Sequence, residues 1–207
     1  MPATKVYLAD AASTDNTVGM ALSFTSFLQV EVIPGGLPSV GRNNGARRAT
    51  TPYVLFLDAD VELADETLLR RAVGLMKSKS LHCVTTNIAC PEGARTDRLC
   101  YAGNNVMQHL SKLYRPFSTG MFMLFDVRRF HELGGFHEQA LFAEDYLLSQ
   151  KVERGRFGIV PGKIVTTNRR FQKMGHLQLI RLFLSTALHT WNESYFLRDH
   201  NYWHSEA

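Results

Sequence analysis

A chain of 207 residues, 45% hydrophobic and 20% charged, has the length and balance of one soluble globular domain, residues 1–207, with a single sizeable core. Its formal net charge of +4 is mild, and its basic residues are dispersed apart from pairs such as Arg47–Arg48 and Arg169–Arg170, so no nucleic-acid partner is expected and a small anionic ligand fits better. Cys83, Cys90 and Cys100 are odd in number and lack C-x-x-C spacing, which points to reduced thiols in a cytoplasmic protein, while the absence of a long apolar run or signal-peptide pattern argues against a spanning or exported chain.

In chain order, short apolar runs at 6–9, 30–33, 53–57, 81–88, 121–125, 157–160 and 164–166 predict strands. Helical patterns lie between them. The first is Val18, Ala21, Leu22 and Thr25; the second is Leu68, Leu69, Ala72, Val73 and Met76, whose spacing marks one buried face; the third is Tyr146, Leu147 and Gln150. Turn residues at Pro34-Gly35-Gly36, Pro91-Glu92-Gly93, Gly134-Gly135 and Pro161-Gly162 divide the periodic segments. Alternating strands and helices predict an α/β fold with a mainly parallel sheet flanked by helices. The apolar stretch at 176–191 is interrupted by Gln178 and Arg181, and reads as an amphipathic helix covering the core in preference to one lying on a membrane surface. The C-terminal helical segment as a whole is expected over 176–198.

The run from Tyr53 to Leu57 ends in Asp58, Ala59 and Asp60, with Glu62 just beyond. Residues two apart on a strand share a side, so Asp58 and Asp60 can face one ligand at the carboxyl end of the strand, where open α/β sheets bind ligands. A hard cation such as Mg2+ or Mn2+ suits that place, because it takes one or two carboxylates together with phosphate oxygens. The spacing alone fits equally well with acids that decorate a loop and favour the start of the next helix.

Four segments in order weigh between these readings. They are "VYLADAASTDNTVGMA", "GGLPSVGRNNGARRATTPYVLFLDAD", its extension "YVLFLDADVEL", and "GMFMLFDVRRFHELGGFHEQALFAEDYLLSQKVERGRFGIV". Together they resemble glycosyltransferases of family 2, which have the GT-A fold, a Rossmann-related sheet flanked by helices. The resemblance implies a metal-dependent transferase that moves a sugar from a UDP- or GDP-sugar to an acceptor hydroxyl with inversion, using Mn2+ or Mg2+. In its terms Asp10, Arg42, Asp58 and Arg170 contact the nucleotide-sugar, with Arg169 as an equal candidate beside Arg170. Asp60 binds the metal directly, with Asp58 and Glu62 as further ligands. Asp145 is the catalytic base that takes the acceptor's proton, and Glu144 orients the acceptor or Asp145. Gly134, Gly135 and Phe136 form the loop on the acceptor side. Asp15 is expected to cap the first helix, Asn43 and Gly45 to serve chain geometry, and His176 to be structural.

Ala11 stands where the family has a second aspartate, so the nucleotide base is left unspecified. Relatives also open with a strand and helix ahead of the segment matched from Val6. Without them the chain is expected to be an N-terminally truncated form of the fold, or one whose gap an oligomer partner or rearranged strand fills. A non-catalytic nucleotide-binding or partner-assembly protein is therefore kept as a second reading, with a retaining transferase or a nucleotidyltransferase as alternatives among enzymes. The acceptor is a saccharide, a lipid-linked carrier or a small metabolite. Peripheral membrane contact at the inner face of the membrane and a homo-oligomer are left open.

Overall fold

In the computed structural model, which describes residues 4–200, the elements run β1 (Lys5–Asp10), α1 (Thr17–Leu22), β2 (Gln29–Pro34), α2 (Pro38–Arg47), β3 (Tyr53–Leu57), β4 (Val61–Leu63), α3 (Leu68–Ser78), β5 (Cys83–Ala89), α4 (Arg95–Ser111), β6 (Phe122–Asp126), α5 (Val127–Glu132), α6 (Glu144–Ser149), β7 (Phe157–Thr166), α7 (Arg169–Met174), α8 (His176–Leu188) and α9 (Glu193–Phe196). The strands form two sheets. β1 and β2 pair in parallel, from Lys5 opposite Gln29 to Asp10 opposite Pro34. The other five lie in the order β3-β6-β5-β7-β4.

The α/β class and the flanking helices are as expected, but the ladders are more mixed than a mainly parallel sheet. β5 and β7 are parallel, whereas β3 with β6, β5 with β6 and β4 with β7 are antiparallel. A central strand buried on both faces reads as an unbroken apolar run in either kind of ladder, so the run itself carries no direction. β6 illustrates this. Phe122 and Leu124 pack on one face with Leu68, Ala72 and Met76 of α3, while Met123 and Phe125 pack on the other with Phe56, Phe130 and Phe136. The predicted stripe of α3 is thus the one that covers the sheet.

Three local differences have physical causes. The runs at 157–160 and 164–166 are one strand, β7, and Pro161-Gly162 is a bulge inside it where a turn was expected: Thr86 faces Val160, yet the next residue, Asn87, faces Lys163. α4 was not predicted, because its inner face is amide-rich. Asn105 exchanges hydrogen bonds with the Ile88 amide (2.9 Å) and carbonyl (2.8 Å), and Gln108 Nε2 donates to the Thr86 carbonyl at 3.0 Å. These side chains satisfy β5 beyond Val84, where its ladder with β6 ends. The C-terminal segment is helical as expected but divided into α8 and α9, and no helix among the described residues is long and apolar enough to cross a membrane.

The order of the five strands also constrains the sheet's shape. β3 and β4 are its two outer strands, yet only Asp58, Ala59 and Asp60 connect them. Four interstrand spacings in a flat sheet span about 19 Å, whereas the chain from Leu57 to Val61 reaches about 14 Å at most. The sheet must curl, and the bulge in β7 lies beside β4, where that curl is needed. Both outer strands are thereby brought to the carboxylate turn.

Among the described residues β1 and β3 each have a single hydrogen-bonded neighbour. α2 straddles the two sheets. Its Gly41 approaches β1 so closely that a Cβ there would sit 2.9 Å from the Cβ of Ala9, and its Ala46 joins the cluster around Phe56. Phe56 anchors that cluster, 5% exposed, with ring centroids 5.0 Å from Phe130 and 4.9 Å from Phe136. Phe56→Ala is expected to lower stability by about 3–5 kcal/mol in urea unfolding, the cost of emptying an aromatic site in a packed core.

Candidate active site

The close seat of α2 on β1 leaves its other side facing the end of β3, and Arg42 projects there. Its guanidinium donates to Asp58 at 2.6 Å and to Glu144 at 2.5 Å, joining residues 16 and 102 positions away. It lies over the ring of Phe136, 5.3 Å from its centroid. The Arg42 side chain is 15% exposed, Asp58 33% and Glu144 7%. Burial acts against the guanidinium's charge, but Asp58, Glu144 and Asp145 outweigh it and hold the group above its ordinary range. The end of one strand and the start of one helix are thus tied through a single cation.

Asp145 sits in the first turn of α6 beside Glu144. Its carboxylate accepts from the amides of Gly120 and Tyr146, the latter at 2.7 Å. Burial pushes Asp145 up to about 7, the neighbouring Glu144 adds to the rise, and Arg42 opposes it. A carboxyl poised there is matched to proton transfer near neutral pH. Ala143, immediately before, adopts a left-handed conformation with φ 54°, which turns the chain so that both acids enter the site from one helix start.

Asp60, two residues after Asp58, pairs with Arg169 at 3.2 Å and remains 44% exposed. Arg169 is therefore placed on the carboxylate turn, and both Arg170 and Asp60 bear on the phenol of Tyr101, a group that burial pushes up to about 12. Glu62 lies on β4, exposed, opposite Val165. Among the described residues no three His, Cys, Asp or Glu side chains are grouped to hold a metal, so Asp58, Asp60 and Glu62 do not form a ready set of three ligands. An exposed Asp60 with Asp58 close in sequence still offers what Mg2+ or Mn2+ takes, one or two carboxylates with the remaining positions left to phosphate and water.

Asp10 ends β1, where it accepts from the Ser13 amide at 3.2 Å, and its carbonyl accepts from Gly35 at 2.8 Å, so the loops after the two parallel strands are joined. Asp15 accepts from the amide of Thr17, the first residue of α1, and so braces the helix start from one position ahead of the cap residue Asn16. Asn43 serves geometry as expected: it bonds the amide and carbonyl of Phe136 at 3.0 and 2.8 Å and the carboxylate of Glu138 at 2.9 Å. Gly135 is held at φ 67° in this loop, and a Cβ there would lie 2.8 Å from Asn43 Oδ1, which explains the glycine. Gly134 is exposed, but Phe136 is 2% exposed and packs inward beneath Arg42. His176 is structural, as expected: its Nε2 lies 2.6 Å from Asp97 and its ring stacks on Phe171 at 4.9 Å. Sequence reasoning missed Asp97, which also accepts from Asn168 at 3.0 Å and so fixes the start of α7 that carries Arg169. Its spacing from Ala94, typical of a capping acid, was the available signal.

The family model for glycosyl transferase family 2 matches residues 2–134. Solved structures similar to the chain include mannosyltransferase PcManGT from Pyrobaculum calidifontis in complex with GDP-Man and Mn2+, at 20% identity and TM-score 0.62, covering 87% of this chain and 55% of that one. S. aureus TarS 1–349 in complex with UDP-GlcNAc is similar at 18% identity and TM-score 0.59, covering 79% and 49%. Glucosyl-3-phosphoglycerate synthase from Mycobacterium tuberculosis, in complex with phosphoglyceric acid, is similar at 17% identity and TM-score 0.55, covering 89% and 68%. The chain spans about half the length of the first two. No curated protein matches it by sequence. At these identities the likeness shows the fold, GT-A, and the matched stretch is more than half of the 207 residues: the chain belongs to glycosyl transferase family 2.

Proposed function

We propose that the chain transfers a sugar from a nucleoside-diphosphate sugar to an acceptor hydroxyl, with inversion by direct displacement. The observation that carries this reading is the convergence on Arg42 of Asp58, from the D-x-D turn, and Glu144, from the pair that includes Asp145. Family membership and the nucleotide-sugars held by the similar mannosyltransferase and TarS support it.

In this reading Asp145 accepts the proton of the attacking hydroxyl. Amides of Gly120 and Tyr146 fix its carboxylate, and the buried setting keeps its basicity high. Glu144 is held by Arg42 and keeps the helix start in place rather than moving protons. The half-exposed Asp60, with Asp58, would hold a divalent cation, Mn2+ or Mg2+, which when bound neutralises the diphosphate and the charge on the departing nucleoside diphosphate. Arg169 lies beside Asp60 and would meet the same phosphates. Asp10 closes the nucleotide side. Among the described residues β1 and β3 each leave one edge unpaired, which favours the alternative of a partner-assembly protein without turnover.

Two sets of measurements test this reading. UDP- or GDP-sugars with Mn2+ are expected to raise the melting temperature of the 207-residue chain, and Asp145→Asn is expected to lower kcat by roughly a hundredfold or more while donor KM stays within about threefold. Binding without turnover would leave the assembly reading standing, and neither binding nor turnover would remove the transferase reading. The second measurement is the pH dependence of the ligand-free protein. Asp145 binds its proton more tightly in the folded than in the unfolded state, so stability is expected to fall as pH rises from the ordinary 3.8 to about 7. Urea melts at pH 5 and pH 8 should show this fall, Asp145→Asn should flatten it, and activity should rise over the upper part of the same interval as the base ionises.

A further inference from the structure

Two neighbouring helices leave apolar stripes facing solvent. On α8, Leu177, Ile180, Leu184 and Leu188 recur at helical spacing, followed by Trp191, and they are 79%, 42%, 61%, 78% and 77% exposed. The opposite face is the one that packs, through Leu179 and Thr186. The expected covering of the core therefore accounts for one face of this helix and leaves the other open. On α4, Leu99, Val106 and Leu110 form a second stripe that Leu113 continues, 54% to 71% exposed, on the side away from the amides that hold β5.

The two helices meet near corresponding ends. Asp97 near the start of α4 holds His176 at the start of α8, and past their ends Arg115 lies over the ring of Trp191, 6.0 Å from its centroid. Val106 and Leu110 also line an open apolar groove of about 490 Å³ beside Lys163. Exposed apolar area of this extent marks a contact surface.

Charge indicates what the surface meets. No Asp or Glu occurs in residues 98–125 or 154–192, and these stretches hold ten of the 23 Lys and Arg, three in the first and seven in the second. The bordering Asp97 is buried, and Glu193 is paired with His137. Lys112, Arg115, Lys163, Lys173 and Arg181 thus accompany the stripes without acidic neighbours in sequence. Two copies of the chain joined through this face would set like charges against each other. A surface carrying anionic headgroups over an apolar interior complements both features.

We propose that the α4–α8 face docks on an anionic lipid bilayer, with the leucine stripes and Trp191 at the acyl boundary and the Lys and Arg side chains reaching the headgroups. This inference rests on the surface alone and stands apart from the transferase reading.

Co-sedimentation of the 207-residue chain with phosphatidylcholine vesicles, with and without phosphatidylglycerol, tests it. Binding is expected to be about tenfold or more stronger on the anionic vesicles and weakened by high salt. Leu184→Glu combined with Leu188→Glu changes two exposed positions and should leave the thermal melt unchanged while reducing vesicle binding by about tenfold or more. The proposal is overturned if the folded wild-type chain does not bind anionic vesicles, or if the double variant binds as well as wild type. A dimer in light scattering that the double variant splits into monomers would also overturn it, by identifying the face as a contact between copies.

Discussion

One buried guanidinium governs the arrangement of the site. Arg42 satisfies Asp58 and Glu144 at once and acts on Asp145 as well, so three acids from two separate parts of the chain surround a single positive charge. A buried ion pair gains little over its desolvation cost, and its worth here lies in specifying position: without the cation, Glu144 would be an uncompensated charge in the interior. The excess of negative charge has a second effect. Added to the burial that chiefly raises it, the charge of Glu144 makes Asp145 the acid that holds its proton toward neutral pH, against the pull of Arg42.

That arrangement depends on where α2 and the carboxylate turn lie. Gly41 lets α2 sit close to β1, which aims Arg42 at the end of β3. The same end of β3 is held near β4 because three residues connect two outer strands of one sheet. The D-x-D acids are therefore fixed at the place where the sheet curls, not carried on a free loop. Asn43, next to Arg42, secures the Phe136 backbone, and Phe136 in turn supports the guanidinium from below. Helix, turn and loop restrain one another through two adjacent residues of α2.

How much of this is legible in the sequence varies with the force that builds each part. Where apolar burial decides, the pattern is plain: the stripe of α3 and the runs of β5 and β6 lie where expected. Where backbone approach or amide hydrogen bonds decide, it is not. α2 packs through glycine and α4 through Asn105 and Gln108, so neither shows an apolar period on its packed face. Strand direction is hidden for the same reason, since a run buried on both faces fits either ladder. At the candidate site, resemblance points to Asp58, Asp60, Glu144 and Asp145, but the double bond of Arg42 and the seating of Arg169 on Asp60 are tertiary facts with no local signature.

Asp97 shows how the far wall of the site is held without apolar support. α7 is a six-residue helix with Phe171 as its buried side chain, too short to be stable by itself. Asp97 accepts from Asn168 ahead of the helix and from His176 behind it, while Phe171 packs between Tyr101 and His176. Both ends of α7 are thus tied to α4 through one carboxylate. Arg169, the first residue of α7, inherits its position over Asp60 from that tie. The start of α8 is fixed by the same bond, so the segment that seats Arg169 on Asp60 and the helix that presents the open apolar stripe share a single anchor on α4.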